Sequence, residues 1–521
     1  MGEPWWKNAV VYQIYPRSFA DASGDGVGDL EGIRSRLDHL SWLGVDAIWI
    51  SPFFRSPMKD FGYDVADYCD VDPLFGSLED FDRLLDDAHA RGIKVMIDWV
   101  PNHSSDQHPW FVESRSSRDN AKADWYIWKD GTPDRPPNNW RCAFTNGPAW
   151  EWVPERQQWY LHLFLPEQPD LNWRHPEVVD AMHGTLRFWL DRGVDGFRID
   201  VVHGLLKNPG FPDDTGDQSR TYDRSGRFDI DATIDLVRDF RTILDSYDGD
   251  RAMVGEVFLL STAQVARFYG DGDALHMSFN FPPLFAPWEA TAWRKRIDRV
   301  HEELDARNAW PTWVLSNHDQ PRHRTRYGSE ARARAAAVLL LTLRGTPFLY
   351  AGEELGLEDA QIPADRVVDP GGRDGCRAPV PWTADARHGW GLEDNWLPWP
   401  PQPELRNAAS LRADETSIVH LYRRLLQARR ASDALRLGAW SPIETAADGV
   451  LAYARTTTTT TDGSDASDAS DRRVVVVNYT SEPRAIALEG QFTIEVASDD
   501  AELEGKPFGG ALAPDQALLL T

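Results

Sequence analysis

Eight short apolar runs, separated by longer stretches of helical periodicity, leave this chain few ways to fold. The runs cover residues 10–15, 45–51, 93–100, 195–201, 252–258, 275–281, 312–316 and 347–350. Most are apolar throughout rather than alternating, as strands buried on both faces must be. Between the first two, Leu30, Ile33, Leu37, Leu40 and Leu43 recur at intervals of three and four, which places one apolar stripe on a helix. Helical patterns over 178–190, 234–244 and 335–343 separate later runs. Strands covered on their outer side by helices predict an α/β chain built as an eight-stranded (β/α)8 TIM barrel, with a doubly wound open sheet as the alternative.

Two segments depart from this rhythm. Residues 104–174, rich in Trp, Pro and Asn, stand between the third strand and its helix, and a connection of that length predicts an inserted small domain. Beyond residue 432 the pattern changes to short β-prone runs at 450–455, 473–479 and 492–496, bounded by Gly, Asp and Ser. These predict a C-terminal antiparallel β-sandwich. The expected division is therefore a barrel over 1–103 and 175–432, an insert over 104–174 and a sandwich over 433–521. The low-complexity segment RTTTTTTDGSDASDASD at 455–471 is expected to form a flexible hairpin tip without a catalytic role.

Composition narrows the function classes. Lys and Arg total 55 against 82 Asp and Glu, a net charge of −27 in 521 residues, which argues against a nucleic-acid partner, because a phosphate backbone requires a positive face. No run is long and apolar enough to span a membrane, and the first residues lack the pattern of a secretory signal, so a cytoplasmic protein with a small-molecule substrate is expected. Cys69, Cys142 and Cys376 show no CxxC spacing, so neither a disulfide framework nor a cysteine metal site is expected. The 23 Trp, 14 Tyr and 22 Phe are generous for cores alone, and aromatic faces suit sugar rings.

Barrel chemistry sits at the C-terminal ends of the strands. There the third run ends in Asp98-Trp-Val-Pro-Asn102-His103, the fourth in Arg198-Ile-Asp200, the fifth in Gly255-Glu256 and the seventh in Ser316-Asn317-His318-Asp319. Each acid closes an apolar run, where an unpaired charge is costly. A strand-end Asp that caps a helix explains any one of them, but not four on one rim. Several carboxylates around one pocket are what retaining glycoside hydrolysis requires. Arg198, two residues before Asp200, points to the same side of its strand, and its charge is expected to keep Asp200 ionised. For Glu256, apolar surroundings and a negative neighbour are expected to hold a proton near neutral pH.

Seven ordered segments resemble the α-amylase family, glycoside hydrolase family 13: GYDVADY (62–68), DWVPNH (98–103), QPDLNW (168–173), GFRIDVV (196–202), GEV (255–257), SNHDQPR (316–322) and GTPFLYAGEELG (345–356). The resemblance implies Asp200 as nucleophile, Glu256 as general acid/base and Asp319 as the acid that grips the sugar hydroxyls, with His103 and His318 holding the same ring. Tyr63 and Asp64, with Arg377, resemble the stacking Tyr and the Asp/Arg pair that close the pocket of exo-acting α-glucosidases and oligo-1,6-glucosidases, and Phe164 adds an aromatic wall. The implied activity is a retaining α-glucosidase needing no catalytic cofactor, with a transglucosylase as the alternative and a non-catalytic relative as a third class. Val201 leans towards α-1,6 linkages, while His203 and GEVFLLS differ from that pattern and leave linkage open. Finally, Asp21, Ser23, Asp25, Val27 and Asp29 space oxygen donors along a Gly-rich loop that resembles the family's structural Ca²⁺ (or Mg²⁺) loop. Gly32 at the twelfth position excludes an EF-hand.

Overall fold

A computed structural model describes residues 2–215, 225–457 and 471–521. Eight parallel strands form the barrel sheet: β1 (Val11–Ile14), β2 (Ala47–Ile50), β3 (Lys94–Trp99), β4 (Gly196–Ile199), β5 (Ala252–Gly255), β6 (Met277–Ser278), β7 (Thr312–Val314) and β8 (Thr346–Tyr350). Their order is β6-β5-β4-β3-β2-β1-β8-β7, so neighbours in the chain are neighbours in the sheet. Between β6 and β7, the ends of that order, side chains seal the barrel. Thr312 Oγ1 donates to Ser278 O at 2.7 Å, and the Tyr269 hydroxyl accepts from Ser278 N at 3.0 Å and donates to Trp310 O at 2.9 Å.

The barrel is a packed core. Trp49, Met96, Val254, Met277, Phe279 and Phe348 fill it, and Trp6 and Trp310, which precede β1 and β7, join the same cluster at the N-terminal mouth. Only the opposite mouth can then hold a ligand. On the outside, the stripe from Leu30 to Leu43 is fully buried as expected. It is carried by two helices, α1 (Leu30–Ser35) and α2 (Leu37–Leu43), with the break at Arg36. Helix α3 (Leu78–Ala90) starts at a capping box between Ser77 and Asp80. Helices α4 (Pro176–Asp191), α5 (Ile230–Asp245), α6 (Ala290–Asp305) and α7 (Glu330–Thr342) lie between the later strands.

Segment 104–174 contains a helix, Pro109–Ser116, and a three-stranded antiparallel sheet of Trp128–Asp130, Trp150–Val153 and Gln158–Leu161. Trp140, Trp150, Trp159, Leu161 and Leu163 form its own small core. A bridge from His103 to Asp170 and the Leu171 N–H donating to Asn102 O at 3.0 Å return its end to the stretch that follows β3.

At the C-terminus, β9 (Ala439–Ile443), β10 (Val450–Thr456), β11 (Arg472–Asn478), β12 (Ile494–Ala497) and β13 (Ala517–Leu520) form one antiparallel sheet in the order β9-β10-β11-β13-β12. Its period of two is buried on both faces. Leu451, Tyr453, Val475, Val477 and Leu519 join the main core, whereas Val450, Ala452, Val474, Val476 and Leu518 pack with Ile486 and Leu512 beside a two-stranded sheet of Arg484–Ala485 and Ala511–Leu512. The hairpin tip expected at 455–471 lies largely outside the described residues. At its base Thr457 N donates to Asp471 O at 3.0 Å.

Candidate active site

The strand ends converge on the Arg198 guanidinium, which is almost fully buried. Its Nη1 donates to Asp98 Oδ1 (2.7 Å) and Asp200 Oδ1 (2.6 Å), and its Nη2 to Glu256 Oε2 (2.7 Å). One cation thus serves three carboxylates from β3, β4 and the end of β5. The three acids compete for that one cation. This corrects the expectation that Arg198 depresses the pKa of Asp200. Burial, opposed by Arg198 but reinforced by Glu256 and Asp98, raises it well above the ordinary carboxylate value. Nor is Glu256 in the apolar surroundings expected for it, because its Oε2 accepts from Val201 N (3.1 Å) as well as from Arg198. Asp98 is likewise pushed up to about 7 by burial, against Arg198 and the Tyr63 hydroxyl.

Val201, directly after Asp200, has φ +44° and ψ +38°. A β-branched residue in the left-handed region costs roughly 1–2 kcal/mol. The chain reverses there into a short 3-10 turn over Val202–Gly204, with Gly204 N donating to Val201 O at 2.8 Å.

Asp319, after β7, is held from the other side. Its Oδ1 accepts from Arg373 Nη1 (2.9 Å) and Arg377 Nη2 (3.1 Å), and its Oδ2 lies 3.2 Å from His318 Nε2. Burial raises the pKa of Asp319, but His318, Arg373 and Arg377 together bring it well below the usual carboxylate range. Burial lowers His318 to about 3, so at neutral pH the two guanidiniums do this work.

A cavity of about 340 Å³ lies over these groups, and Asp200, Glu256, Asp319, Tyr63, His103 and Phe164 line it. It falls in the usual range for small-ligand pockets. A larger groove of about 790 Å³ runs between α6 and β9–β10, far from the strand ends, and its charges are spent on pairs such as Arg294 with Asp298 and Glu444.

Of the other expected residues, His318 and Arg377 lie behind the cavity lining, where they hold the lining residues Tyr63 and Asp319 in place. His318 uses both ring nitrogens within the protein: Gln13 Nε2 donates to Nδ1 (2.6 Å), and Nε2 donates to the Tyr63 hydroxyl (2.6 Å), which donates to Asp98 Oδ2 (3.1 Å). Tyr63 stacks on His318 with ring centroids 5.5 Å apart, an interplanar angle of 2°. His103 accepts at Nδ1 from Asn102 Nδ2 and donates from Nε2 to Tyr63 O, both at 3.1 Å. Burial lowers His103 to about 4, so it too is neutral. Phe164 packs 5.1 Å from His103. Arg377 is fully buried and donates from Nε to His318 O at 2.8 Å.

The pair expected from Asp64 and Arg377 is not formed. Asp64 folds back on its own loop, accepting from Ser56 Oγ (2.8 Å), Lys59 N (2.9 Å) and Asp60 N (3.0 Å). The ion pair at the cavity is made by Asp60 and Arg373 instead, with Nη2 2.6 Å from Asp60 Oδ1, and both residues line the cavity. Arg373 also grips Asp369 through Nε and Nη2. Phe144, Phe228, Phe258 and His203 are further lining residues that the sequence reading did not single out as contacts. A signal for Arg373 existed: RDGCR offers two guanidiniums four residues apart.

In the loop after β1, Asp21 accepts from Ser23 Oγ, Gly24 N, Gly26 N and Gly391 N, Asp25 Oδ1 accepts from Val27 N, and Asp29 accepts from Gly32, Ala22 and Ser23 N–H groups while capping α1. The donor set is all oxygen, the chemistry of a hard cation. As arranged here, these carboxylates turn towards N–H groups, and among the described residues no three His, Cys, Asp or Glu side chains converge as a metal site.

A barrel with a close-set carboxylate pair and a third acid at the C-terminal ends of its strands defines a glycoside hydrolase. The family model described as alpha amylase, catalytic domain, matches residues 13–438. Relatives include a "Probable alpha-glucosidase" of Rhizobium meliloti (strain 1021), 44% identical over 478 residues with 85% of each chain covered. The oligo-1,6-glucosidase of Parageobacillus thermoglucosidasius is 36% identical, covering 88% of this chain and 89% of its own. Among solved structures, the alpha-glucosyl transfer enzyme XgtA superposes with a TM-score of 0.91 at 40% identity, covering 100% and 99% of the two chains. The trehalulose synthase MutB from Pseudomonas mesoacidophila MX-45 gives 0.90 at 34% identity over 100% of each. The chain belongs to the α-amylase family, in the branch of the α-glucosidases and oligo-1,6-glucosidases.

Proposed function

We propose that the enzyme releases glucose from the non-reducing end of short α-glucosides, with retention of configuration. The observation that carries this is the Asp60–Arg373 pair, which joins the loop after β2 to that after β8 and lines the cavity over Asp200 and Glu256, where we read it as the wall behind the non-reducing sugar. A closed end suits exo cleavage. Two carboxylates bonded to one guanidinium are close-set, on the side of the ~5–5.5 Å separation of retaining enzymes rather than the ~6.5–9.5 Å of inverting ones.

In this reading Asp200 attacks the anomeric carbon while Glu256 protonates the departing oxygen. The proton for this step is carried by Glu256, with Asp200 ionised, once a glycosidic oxygen lies beside Glu256. Asp319, kept ionised by Arg373 and Arg377, binds the hydroxyls of the glucosyl ring, with Tyr63, His103 and Phe164 around it. Water activated by Glu256 then releases glucose. Initial rates on maltose, isomaltose, sucrose and p-nitrophenyl α-glucoside test the reading and rank the linkages. The first-formed sugar is expected to be α-glucose by NMR; no turnover of any of the four, or β-glucose first, overturns it.

Transfer of the same glucosyl unit to a sugar or alcohol is the second reading, favoured by the likeness to XgtA and MutB, and product analysis at high substrate concentration separates it from hydrolysis. We also propose a structural Ca²⁺ or Mg²⁺ in loop 21–29, where Asp21, Asp25 and Asp29 would turn oxygens to the ion; calorimetry and chelator-dependent melting test it, and no effect of either removes it. The three unpaired cysteines support placement in the cytoplasm, which fractionation of the native host tests.

A further inference from the structure

The proposed acid/base residue has two carboxyl oxygens, and the structure treats them unequally. Glu256 Oε2 accepts two hydrogen bonds, from Arg198 Nη2 at 2.7 Å and from the Val201 main-chain N–H at 3.1 Å. An sp² carboxyl oxygen has two lone pairs, so both are taken and no position remains on Oε2 for a proton. Any proton on Glu256 is therefore on Oε1.

The second donor exists because the backbone is forced. Asp200 N is fixed to Trp99 O at 2.9 Å and Glu256 N to Ile199 O at 2.8 Å, so both acids sit at defined heights on adjacent strands. Val201 then enters the left-handed region at φ +44° and turns its N–H across to Glu256. Glycine adopts such a conformation freely, yet valine occupies the position. The turn holds it there: Gly204 N donates to Val201 O, and a Cβ on Gly204 would lie 3.0 Å from Val201 Cγ1.

We infer that the main-chain N–H of Val201 is a positioning group for the reaction: with Arg198 it saturates Glu256 Oε2 and thereby assigns proton donation and return to Oε1. This rests on the hydrolase reading given above. In the first step the Oε1–H bond breaks, the proton goes to the glycosidic oxygen, the C1–O bond breaks with its electron pair on that oxygen, and Asp200 bonds to C1. In the second step water gives its proton to Oε1, its oxygen bonds to C1, and Asp200 leaves. Through both steps Oε2 keeps its two donors, which stabilise the carboxylate formed in between.

The direct test replaces the Val201 amide with an ester by incorporating 2-hydroxy-3-methylbutanoic acid at position 201, which deletes the N–H and keeps the side chain. Losing a donor to the ionised form raises the pKa of the acid, so the basic limb of the kcat/KM–pH profile on maltose is expected to move up by about half a unit or more. Val201→Gly keeps the N–H and tolerates the same φ, so its basic limb is expected to stay in place. A basic limb unmoved in the ester, or moved equally in Val201→Gly, overturns the inference. A purely structural role would lower the melting temperature of the ester without moving the limb. Should the ester not fold, an atomic-resolution crystal structure of the unmodified enzyme below the basic limb decides. A longer C–Oε1 than C–Oε2 bond in Glu256 is expected; the reverse, or Val201 N beyond hydrogen-bonding distance, overturns it. Inactivity on every α-glucoside would count against the hydrolase reading while leaving the bond-length result standing.

Discussion

Replacing Arg373 with Met and, separately, Asp60 with Asn should give unequal losses of stability, although the two residues form one ion pair. Arg373 bonds Asp60, Asp369 and Asp319 at once, and Asp60 and Asp369 have side chains only 4% and 0% exposed. Met at 373 takes the bidentate cation away from both of these buried carboxylates. Asp369 keeps the main-chain N–H of residue 373 at 2.7 Å and a 3.5 Å contact with Arg377 Nη1, and Asp60 keeps Gln168 Nε2 at 3.1 Å but no guanidinium. Breaking a buried pair in this way costs about 3–5 kcal/mol. Asn at 60 leaves Arg373 with two carboxylates and removes one charge-assisted bond, a cost of about 1–2 kcal/mol. The double variant should therefore fall short of the sum, since the first change has already released Asp60. The assay is urea unfolding of all four proteins at pH 7, with KM for p-nitrophenyl α-glucoside measured alongside. Both single variants are expected to raise KM, because each opens the closed end of the cavity. Equal losses for the two, or strict additivity, would refute the claim that Arg373 is the hub of this wall.

Three further outcomes follow from the geometry. His276 is buried, accepts from Met253 N at Nδ1 and is lowered by burial to about 3, so the folded protein binds fewer protons than the unfolded chain between about pH 6.5 and 3. Stability is then fully present above 6.5 and lost as pH falls through that window; His276→Gln should reduce the slope of unfolding free energy there by about 1.4 kcal/mol per pH unit, and an unchanged slope contradicts this. Glu256→Gln should cost roughly 10²–10⁴ in kcat/KM on maltose but far less in the glycosylation step of a dinitrophenyl α-glucoside, which needs no protonation; equal losses on both would remove the acid role. Asp200→Asn should lower kcat by about 10⁴ while the circular dichroism spectrum is unchanged, and normal turnover would remove the nucleophile.

Much of this architecture was legible because barrel strands are short, apolar on both faces and separated by amphipathic helices. Seven of the eight runs contain one strand and the eighth lies within Thr346–Tyr350, and the acids at 98, 200 and 256 were recognisable as ends of such runs. Legibility failed where position depends on loops. Asp60 lies in an irregular connection after β2, where nothing in the local pattern marks which of Asp60 and Asp64 faces inward; the backbone N–H groups of residues 59 and 60 capture Asp64. The motif pointed to Arg377 alone, whereas the short turn over Asp374–Arg377 places Arg373 on the cavity and Arg377 beneath it. The pKa of Asp200 was misjudged for another reason: counting one Arg beside one Asp overlooks Asp98 and Glu256, which compete for the same guanidinium. The break at Arg36 was invisible because the stripe keeps its spacing across it.

The account stands on Asp200 forming a covalent bond to the sugar. Incubation with 5-fluoro-α-glucosyl fluoride, followed by proteolysis and mass spectrometry, reads this directly. A fluoroglucosyl adduct on the peptide that carries Asp200 is the predicted result, and an adduct on any other residue, or inactivation without an adduct, would contradict it.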